Sequence, residues 1–132
     1  MKRTELREAT FLLLFRCDYF SGNELEEQMD DFFNGEEAFK ENDIEYIKNK
    51  VRAVAEKKEE IDKIIDEVTV GWKTKRMSRV DLTILRLGYY EAKYDDSVPL
   101  STAINEAVEL AKSYGTDNSS SFVNGILAKL VN

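Results

Sequence analysis

The sequence contains no histidine, one cysteine, one proline and only six glycines among its 132 residues. The absence of histidine removes the most common general base at neutral pH. Zinc sites of the usual kind are also excluded, because one cysteine without histidine supplies too few ligands, and no disulfide can form within the chain. The scarcity of proline and glycine argues against a turn-rich all-β fold.

Long apolar segments are missing as well. The apolar residues 11–15 are too few for a signal peptide and are flanked by charges. No run of about 18 apolar residues occurs, so we predict no membrane span. A free thiol without an export signal indicates a cytoplasmic protein.

The motifs of common enzyme classes are absent too. The sequence has no glycine-rich phosphate loop, no Ser-His-Asp set and no Cys-His pair. Cys17 lies on the apolar face of a predicted helix, where a buried and unreactive thiol is expected. We therefore predict that the chain is not an enzyme and has no catalytic residue, no cofactor and no metal site.

Charge, by contrast, is abundant and unevenly distributed. The net charge of −7 hides two basic segments, with +2 over residues 1–16 and +4 over residues 71–93. Residues 17–70 have a net charge of −10, and residues 94–132 have −3. An acidic chain is not expected to coat nucleic acid non-specifically, but it remains compatible with one local basic face.

Hydrophobic residues recur three and four positions apart through nearly the whole chain. This pattern predicts an all-α bundle of six or seven helices. The first helix is predicted to begin at Thr4 or slightly earlier, and the second to span residues 24–33. The third is predicted to begin at Asn42 or Asp43, and the charged run 57–60 is expected to separate it from a fourth.

Capping residues mark the later helices. Ser78 is predicted to cap one helix, with Asp81 as its partner three residues on. Ser101 or Thr102 is predicted to cap the next helix, and residues 117–121 to begin the last one.

Glycines supply further signals. Gly115 is expected to end the penultimate helix in the usual C-terminal position. Gly88 and Gly125 lie inside predicted helices, where glycine is unfavourable. We expect both to allow the close approach of a neighbouring helix.

The basic N-terminus is the first candidate binding segment. Lys2, Arg3 and Arg7 place cations at the helix end that prefers anions. A bound polyanion would compensate for this placement. Ordinary solvated surface charge explains the same residues equally well.

A second candidate segment combines Trp72 with cations. Its basic residues are Lys73, Lys75, Arg76 and Arg79. Cations beside aromatic rings suit single-stranded RNA, in which phosphates carry charge and exposed bases stack. For Trp72 alone we favour the alternative that the indole fills the core between two subdomains.

The beginning of the last helix is the third candidate. Asn118, Ser119 and neighbouring hydroxyl side chains accompany the free N–H groups of the helix N-terminus. Plain capping is the alternative. Phe122 is expected either in the core or as a platform on which a base stacks.

Three stretches of the sequence are recognisable together. They are Arg7-Glu8-Ala9, residues 80–87 with Tyr90-Glu91, and Val98-Pro99 followed by residues 103–112, Tyr114-Gly115 and residues 122–127. With these motifs the sequence resembles the NusB family of transcription antitermination factors. The resemblance spans the chain and is strongest over residues 78–130.

The resemblance implies a single domain, 1–132, made of two small helical bundles, which we assign to residues 1–57 and 58–132. It also implies binding rather than a reaction. Members of the family pair with the ribosomal protein NusE, and the pair binds the boxA element of nascent single-stranded RNA. This helps the RNA polymerase antitermination complex to pass terminators, notably in ribosomal RNA operons.

The resemblance also assigns site residues. Those implied to bind RNA are Lys2, Arg3, Arg7, Lys73, Arg76, Asn118, Ser119 and Phe122. Those implied to face NusE are Phe15, Arg76 and Asp81. The N-terminal basic segment is thinner than is usual in the family, because Glu5 interrupts it, and RNA binding weakens as fewer phosphates are neutralised. Asn118 stands where an acidic residue is frequent, and an amide removes repulsion toward phosphate.

Two other functions stay open at this point. NusB-like domains also occur fused to RNA methyltransferases, so the chain could hold RNA for such an enzyme, with the catalytic domain supplied by a separate partner. A purely structural homodimer that buries the RNA-facing surface is the other alternative.

Overall fold

The computed structural model describes residues 1–131, which form six α-helices and no strand. The helices are α1 (Arg3–Arg16), α2 (Gly22–Phe33), α3 (Glu41–Val68), α4 (Arg79–Tyr94), α5 (Leu100–Tyr114) and α6 (Ser119–Val131), with a 3₁₀ helix at Thr74–Arg76. The all-α prediction is confirmed. The chain divides into two compact units, Met1–Glu56 and a second unit that begins at Lys57.

The predicted break at residues 57–60 is wrong, because α3 runs without interruption from Glu41 to Val68. Within this run Lys57 Nζ lies 3.5 Å from Glu60 Oε2, a pair three residues apart on one helix face. Lysine and glutamate are good helix formers, so the charged run is a solvated face of the helix. The helix also begins earlier than predicted, and Asp43 Oδ2 accepts a hydrogen bond from the Lys40 backbone N–H at 3.2 Å.

The first unit has a core of aliphatic and aromatic side chains. Its fully buried members are Leu13, Met29, Ile47 and Val51. Cys17 also belongs to this core at 5% exposure, which confirms the prediction of a buried thiol. Burial raises the pKa of that thiol, and the nearby Arg16 only partly opposes the shift.

In the second unit α4, α5 and α6 pack against one another. Residues 82–89 of α4 are all buried. A Cβ on Gly88 would lie 3.1 Å from both Ala107 Cβ and Leu127 Cδ1, so this glycine does allow α5 and α6 to approach α4 closely. The same prediction is wrong for Gly125, because no atom of a neighbouring helix within residues 1–131 lies within 4 Å of the position of its missing Cβ.

Helix ends agree only in part with the predicted caps. Ser78 caps α4 as predicted, since its Oγ accepts a hydrogen bond from the Asp81 N–H at 3.1 Å. The prediction for α5 is wrong, because that helix begins at Leu100 with Pro99 in the N-cap position. The ring of proline fixes a φ that is compatible with the start of a helix. The helix can therefore begin before the hydroxyl residues Ser101 and Thr102.

Gly115 ends α5 as predicted, but for a different reason. Its φ of −94° and ψ of −165° describe extended backbone, which every residue type adopts. A Cβ at this position would lie 2.4 Å from Ser119 Oγ and 2.7 Å from Ala111 O. Space, and not a left-handed conformation, therefore requires glycine here.

No helix within residues 1–131 is both long enough and apolar enough to cross a membrane.

Candidate nucleic-acid interface

The connector between α3 and α4 exposes two large apolar side chains. Val70 is 93% exposed and Trp72 is 57% exposed, on either side of Gly71, whose φ is +81°. A left-handed φ favours glycine, which has no Cβ to clash with the following carbonyl. The prediction that Trp72 fills the core is therefore wrong: the indole is largely in water.

Hydrogen bonds of Lys73 and Thr74 hold this connector against the end of α3. Lys73 Nζ donates hydrogen bonds to the carbonyl oxygens of Asp66 at 2.5 Å and Thr69 at 2.9 Å, near the end of α3. A cation in this place satisfies carbonyls that the helix leaves open. The carboxylate of Asp66 accepts hydrogen bonds from the Thr74 N–H at 2.7 Å and the Thr74 hydroxyl at 3.1 Å.

The remaining cations of the connector are available to solvent. Lys75 and Arg76 are exposed, and within residues 1–131 neither side chain has a hydrogen bond or an ion pair. Arg79 is also exposed, but it already interacts with another group. The connector therefore presents at least two cations that no carboxylate of the described chain neutralises.

The beginning of α6 combines an exposed amide with a tightly hydrogen-bonded turn. Asn118 is exposed, and its carbonyl oxygen accepts the Phe122 N–H at 3.1 Å. Ser119 is only 2% exposed, and its Oγ accepts the Thr116 N–H at 2.9 Å. Ser119 thus shapes the turn from inside, while Asn118 is the group that a ligand can reach.

Trp72 and Phe122 connect these two segments. Their ring centroids are 6.4 Å apart, and the ring planes are inclined by 74°, an edge-to-face contact. Phe122 is half-buried. The contact brings the cationic connector and the first turn of α6 together, so this pair of rings forms the centre of the candidate interface. We call Trp72, Arg76, Asn118 and Phe122 the connector patch.

The N-terminal segment differs from its prediction in one residue. Lys2 and Arg3 are exposed, but Arg7 is only 6% exposed and already interacts with another group. Glu5, which interrupts the basic segment, accepts a hydrogen bond from the Lys2 N–H at 3.1 Å through Oε1. Glu5 therefore caps α1, and its negative charge stabilises the N-terminus of that helix. This role explains why an acidic residue stands among cations.

The residues implied to face a protein partner occupy varied surroundings. Phe15 is half-buried, with its ring 6.3 Å from that of Phe11. Asp81 Oδ1 is buried and lacks a hydrogen-bond partner within residues 1–131. Buried oxygens without a partner are uncommon in folded proteins.

Sequence reasoning missed Asp66, which anchors the connector. Nothing in the sequence marks it, because one carboxylate among many on α3 has no distinguishing spacing. Its role depends on the chain turning back after Gly71 to bring Thr74 within hydrogen-bond distance.

Comparison with known proteins identifies the family. The NusB family profile matches residues 4–132. The chain belongs to the NusB family. It is 47% identical to the transcription antitermination protein NusB of Lachnoclostridium phytofermentans over 131 residues, or 99% of both chains. As a member of this family the protein is a non-enzymatic antitermination factor, in agreement with the prediction from its motifs.

Solved NusB structures have the same fold. Thermotoga maritima NusB superposes with a TM-score of 0.88 at 33% identity, covering 99% of this chain and 91% of that one. A crystal structure of the antitermination factors NusB and NusE in complex with double-stranded RNA superposes with a TM-score of 0.83 at 28% identity. It covers 98% of this chain and 95% of the matched one.

Proposed function

We propose that this protein pairs with the ribosomal protein NusE and that the pair binds boxA-type single-stranded RNA in the polymerase antitermination complex. This role belongs to ribosomal RNA transcription in the cytoplasm. The observation that supports it best is the connector patch, in which the exposed indole of Trp72 contacts the half-buried Phe122. The same connector carries Arg76, which has no partner in the described chain. The solved complex of a related NusB with NusE and RNA supports the same partners.

The chemistry of the proposed function divides between charge and stacking. Exposed Lys2, Arg3 and Arg76 would neutralise phosphates, which supplies affinity without sequence information. Phe122 and the amide of Asn118 would meet unstacked bases. Arg7, which is buried and already engaged, and Ser119, whose hydroxyl is used within its turn, would support RNA binding rather than contact RNA directly.

Pairing with NusE would compensate for the small number of free cations. The protein has a net charge of −7, so its own attraction to RNA is expected to be weak. A partner that adds phosphate contacts raises the affinity of the pair without any change in this chain. Phe15, Arg76 and Asp81 are the residues that we expect NusE to contact.

The decisive test is RNA titration with and without NusE across a salt series. We expect NusE paired with the Arg3→Ala/Arg76→Ala variant to bind boxA-type RNA at least about tenfold more weakly, because the variant loses two cations that can contact phosphates. The slope of log affinity against log salt should fall by about 0.7 for each phosphate of the single strand that the variant no longer neutralises. Arg7 is left unchanged because removal of a buried guanidinium would also disturb folding.

The matched control is Lys63→Ala/Lys129→Ala, which removes the same charge from two other exposed positions. We expect its affinity and salt slope to stay close to those of the unmodified pair. Unchanged RNA affinity in the Arg3/Arg76 variant would reject the proposed role of these two cations. Equal losses in both variants would mean that only net charge matters.

The two alternative functions give different results in the same preparations. A dimer that persists in light scattering when RNA and NusE are present would support the structural homodimer. Capture of an RNA methyltransferase without NusE would support an RNA-holding role beside such an enzyme.

A further inference from the structure

We infer that Trp72 is a second base-stacking residue, which receives an unpaired nucleobase of the bound RNA next to Phe122. This inference rests on the proposed RNA-binding function and adds a contact that the family resemblance does not assign. It follows from the exposure of the indole, its fixed position and the charge around it.

Exposure is the first reason. Trp72 leaves 57% of its surface in water although it is the largest apolar side chain in the protein. Its edge-to-face contact with Phe122 uses little ring area, because planes inclined by 74° do not cover each other. An aromatic face that stays open in the folded protein is available for a planar apolar ligand.

Fixed position is the second reason. Gly71 turns the chain immediately before Trp72, and the ammonium of Lys73 immediately after it is held by two carbonyls of α3. Thr74 is held in turn by Asp66. A ring carried on such a short, anchored segment loses little conformational freedom on binding, so more of the stacking energy appears as affinity.

The positive charge of the connector is the third reason, and it favours RNA over an uncharged protein segment as the ligand. Residues 69–80 contain four basic and no acidic side chains, and Lys75 and Arg76 have no partner in the described chain. A ligand with phosphates every few ångströms and bases between them matches cations that lie beside an aromatic ring. Because every base has a π-face, this contact would add affinity with little sequence preference.

The chain offers a direct readout, since Trp72 is its only tryptophan. We expect boxA-type single-stranded RNA to quench the tryptophan emission of the protein, alone or paired with NusE. Inorganic polyphosphate, a polyanion without bases, should bind the same cations and leave the emission nearly unchanged. Equal quenching by both polyanions would overturn the stacking contact.

Variants test the contribution to affinity. Trp72→Ala should weaken RNA binding by the NusE pair about tenfold, while Trp72→Phe, which keeps a ring, should stay within about threefold. Val70→Ala is the matched control, because it removes a more exposed apolar side chain from the same connector without removing a π-face. Equal losses for Trp72→Ala and Val70→Ala would overturn the inference.

Two outcomes separate this inference from the proposed function. If the unmodified pair binds RNA but Trp72→Ala binds equally well, the stacking contact is wrong and the proposed function stands. If the pair does not bind RNA, both fail. A loss of NusE affinity in Trp72→Ala without RNA would make the indole a protein contact and would also overturn the inference.

Discussion

Each compact unit contains an arginine that joins two helices through a two-pronged contact with a carboxylate, yet the two pairs have very different surroundings. In the first unit, Arg52 Nε and Nη2 lie 2.8 and 2.6 Å from the oxygens of Glu26. In the second, Arg86 Nε and Nη2 lie 2.7 Å from the oxygens of Asp62. The side chains of the first pair are 41% and 44% exposed, and those of the second only 9% and 23%.

The difference shows that hydrogen-bond geometry alone does not determine what an ion pair contributes. Water screens the first pair and can replace either partner, so its removal costs little. Removal of Arg86 would leave a largely enclosed carboxylate without its cation. Arg76 extends the comparison, because the same side chain with no carboxylate partner in the described chain is available to a ligand.

The largest expected effect is that of Arg86→Ala. We expect it to lower the free energy of unfolding by about 3 kcal/mol, because Asp62 loses its partner in a poorly solvated place. Arg52→Ala, the exposed counterpart, should cost less than about 1 kcal/mol. Urea unfolding of both variants at neutral pH measures the difference.

A double variant checks the cause of that loss. Replacement of both Arg86 and Asp62 by alanine should be less destabilising than the sum of the single changes, since neither member of this pair is then left without the other. Equal losses for Arg86→Ala and Arg52→Ala would contradict the role assigned to burial.

Two glycines allow the same comparison between an enclosed and an open site for an uncharged change, the addition of a methyl group. Gly115→Ala should destabilise the protein by about 1–3 kcal/mol, because the new Cβ would collide with Ser119 and with the Ala111 carbonyl. Gly125→Ala should instead stabilise it by about 0.5–1 kcal/mol, since the site is inside α6 and open. Thermal unfolding of the two variants gives the signs, and two changes of the same sign would refute the packing argument.

The smallest expected effect is a pH dependence of the exposed pair. The hydrogen bond from Arg52 holds the pKa of Glu26 below its ordinary value of 4.5, and burial opposes this only in part. A carboxyl whose pKa is lowered by folding contributes stability above the ordinary pKa and loses it as the pH falls through the folded value. The difference in unfolding free energy between the unmodified protein and Arg52→Ala should therefore shrink as the pH is lowered from neutral to below 4.5. A difference that stays constant over this range would argue against the pair as its source.

The sequence alone was sufficient for the all-helical class but not for the number and the limits of the helices. Hydrophobic spacing predicts the α-helical class because it depends on local geometry, and Ser78 is found by its own hydrogen-bonding chemistry. The charged run 57–60 is compatible both with a break and with a solvated helix face. Only the packing of α3 decides between them.

The site residues show the same difference between what local sequence predicts and what tertiary packing decides. Basic and aromatic residue types indicate an RNA-binding surface, but the exposure of Trp72 and the burial of Arg7 depend on neighbours distant in sequence. Gly88 and Gly125 look alike in sequence, yet only the first faces another helix at close range. Tertiary contact, which periodicity does not encode, decides each of these cases.

The enclosed thiol of Cys17 has a consequence for experiments. It is the only thiol in the chain, it lies in the first unit, and both its enclosure and its raised pKa keep it from alkylating reagents in the closed state. Alkylation must then wait for a transient opening, and its rate relative to that of an unprotected thiol gives the free energy of that opening. The alkylation rate of Cys17 thus reports how often the first unit opens, and no label has to be introduced to measure it.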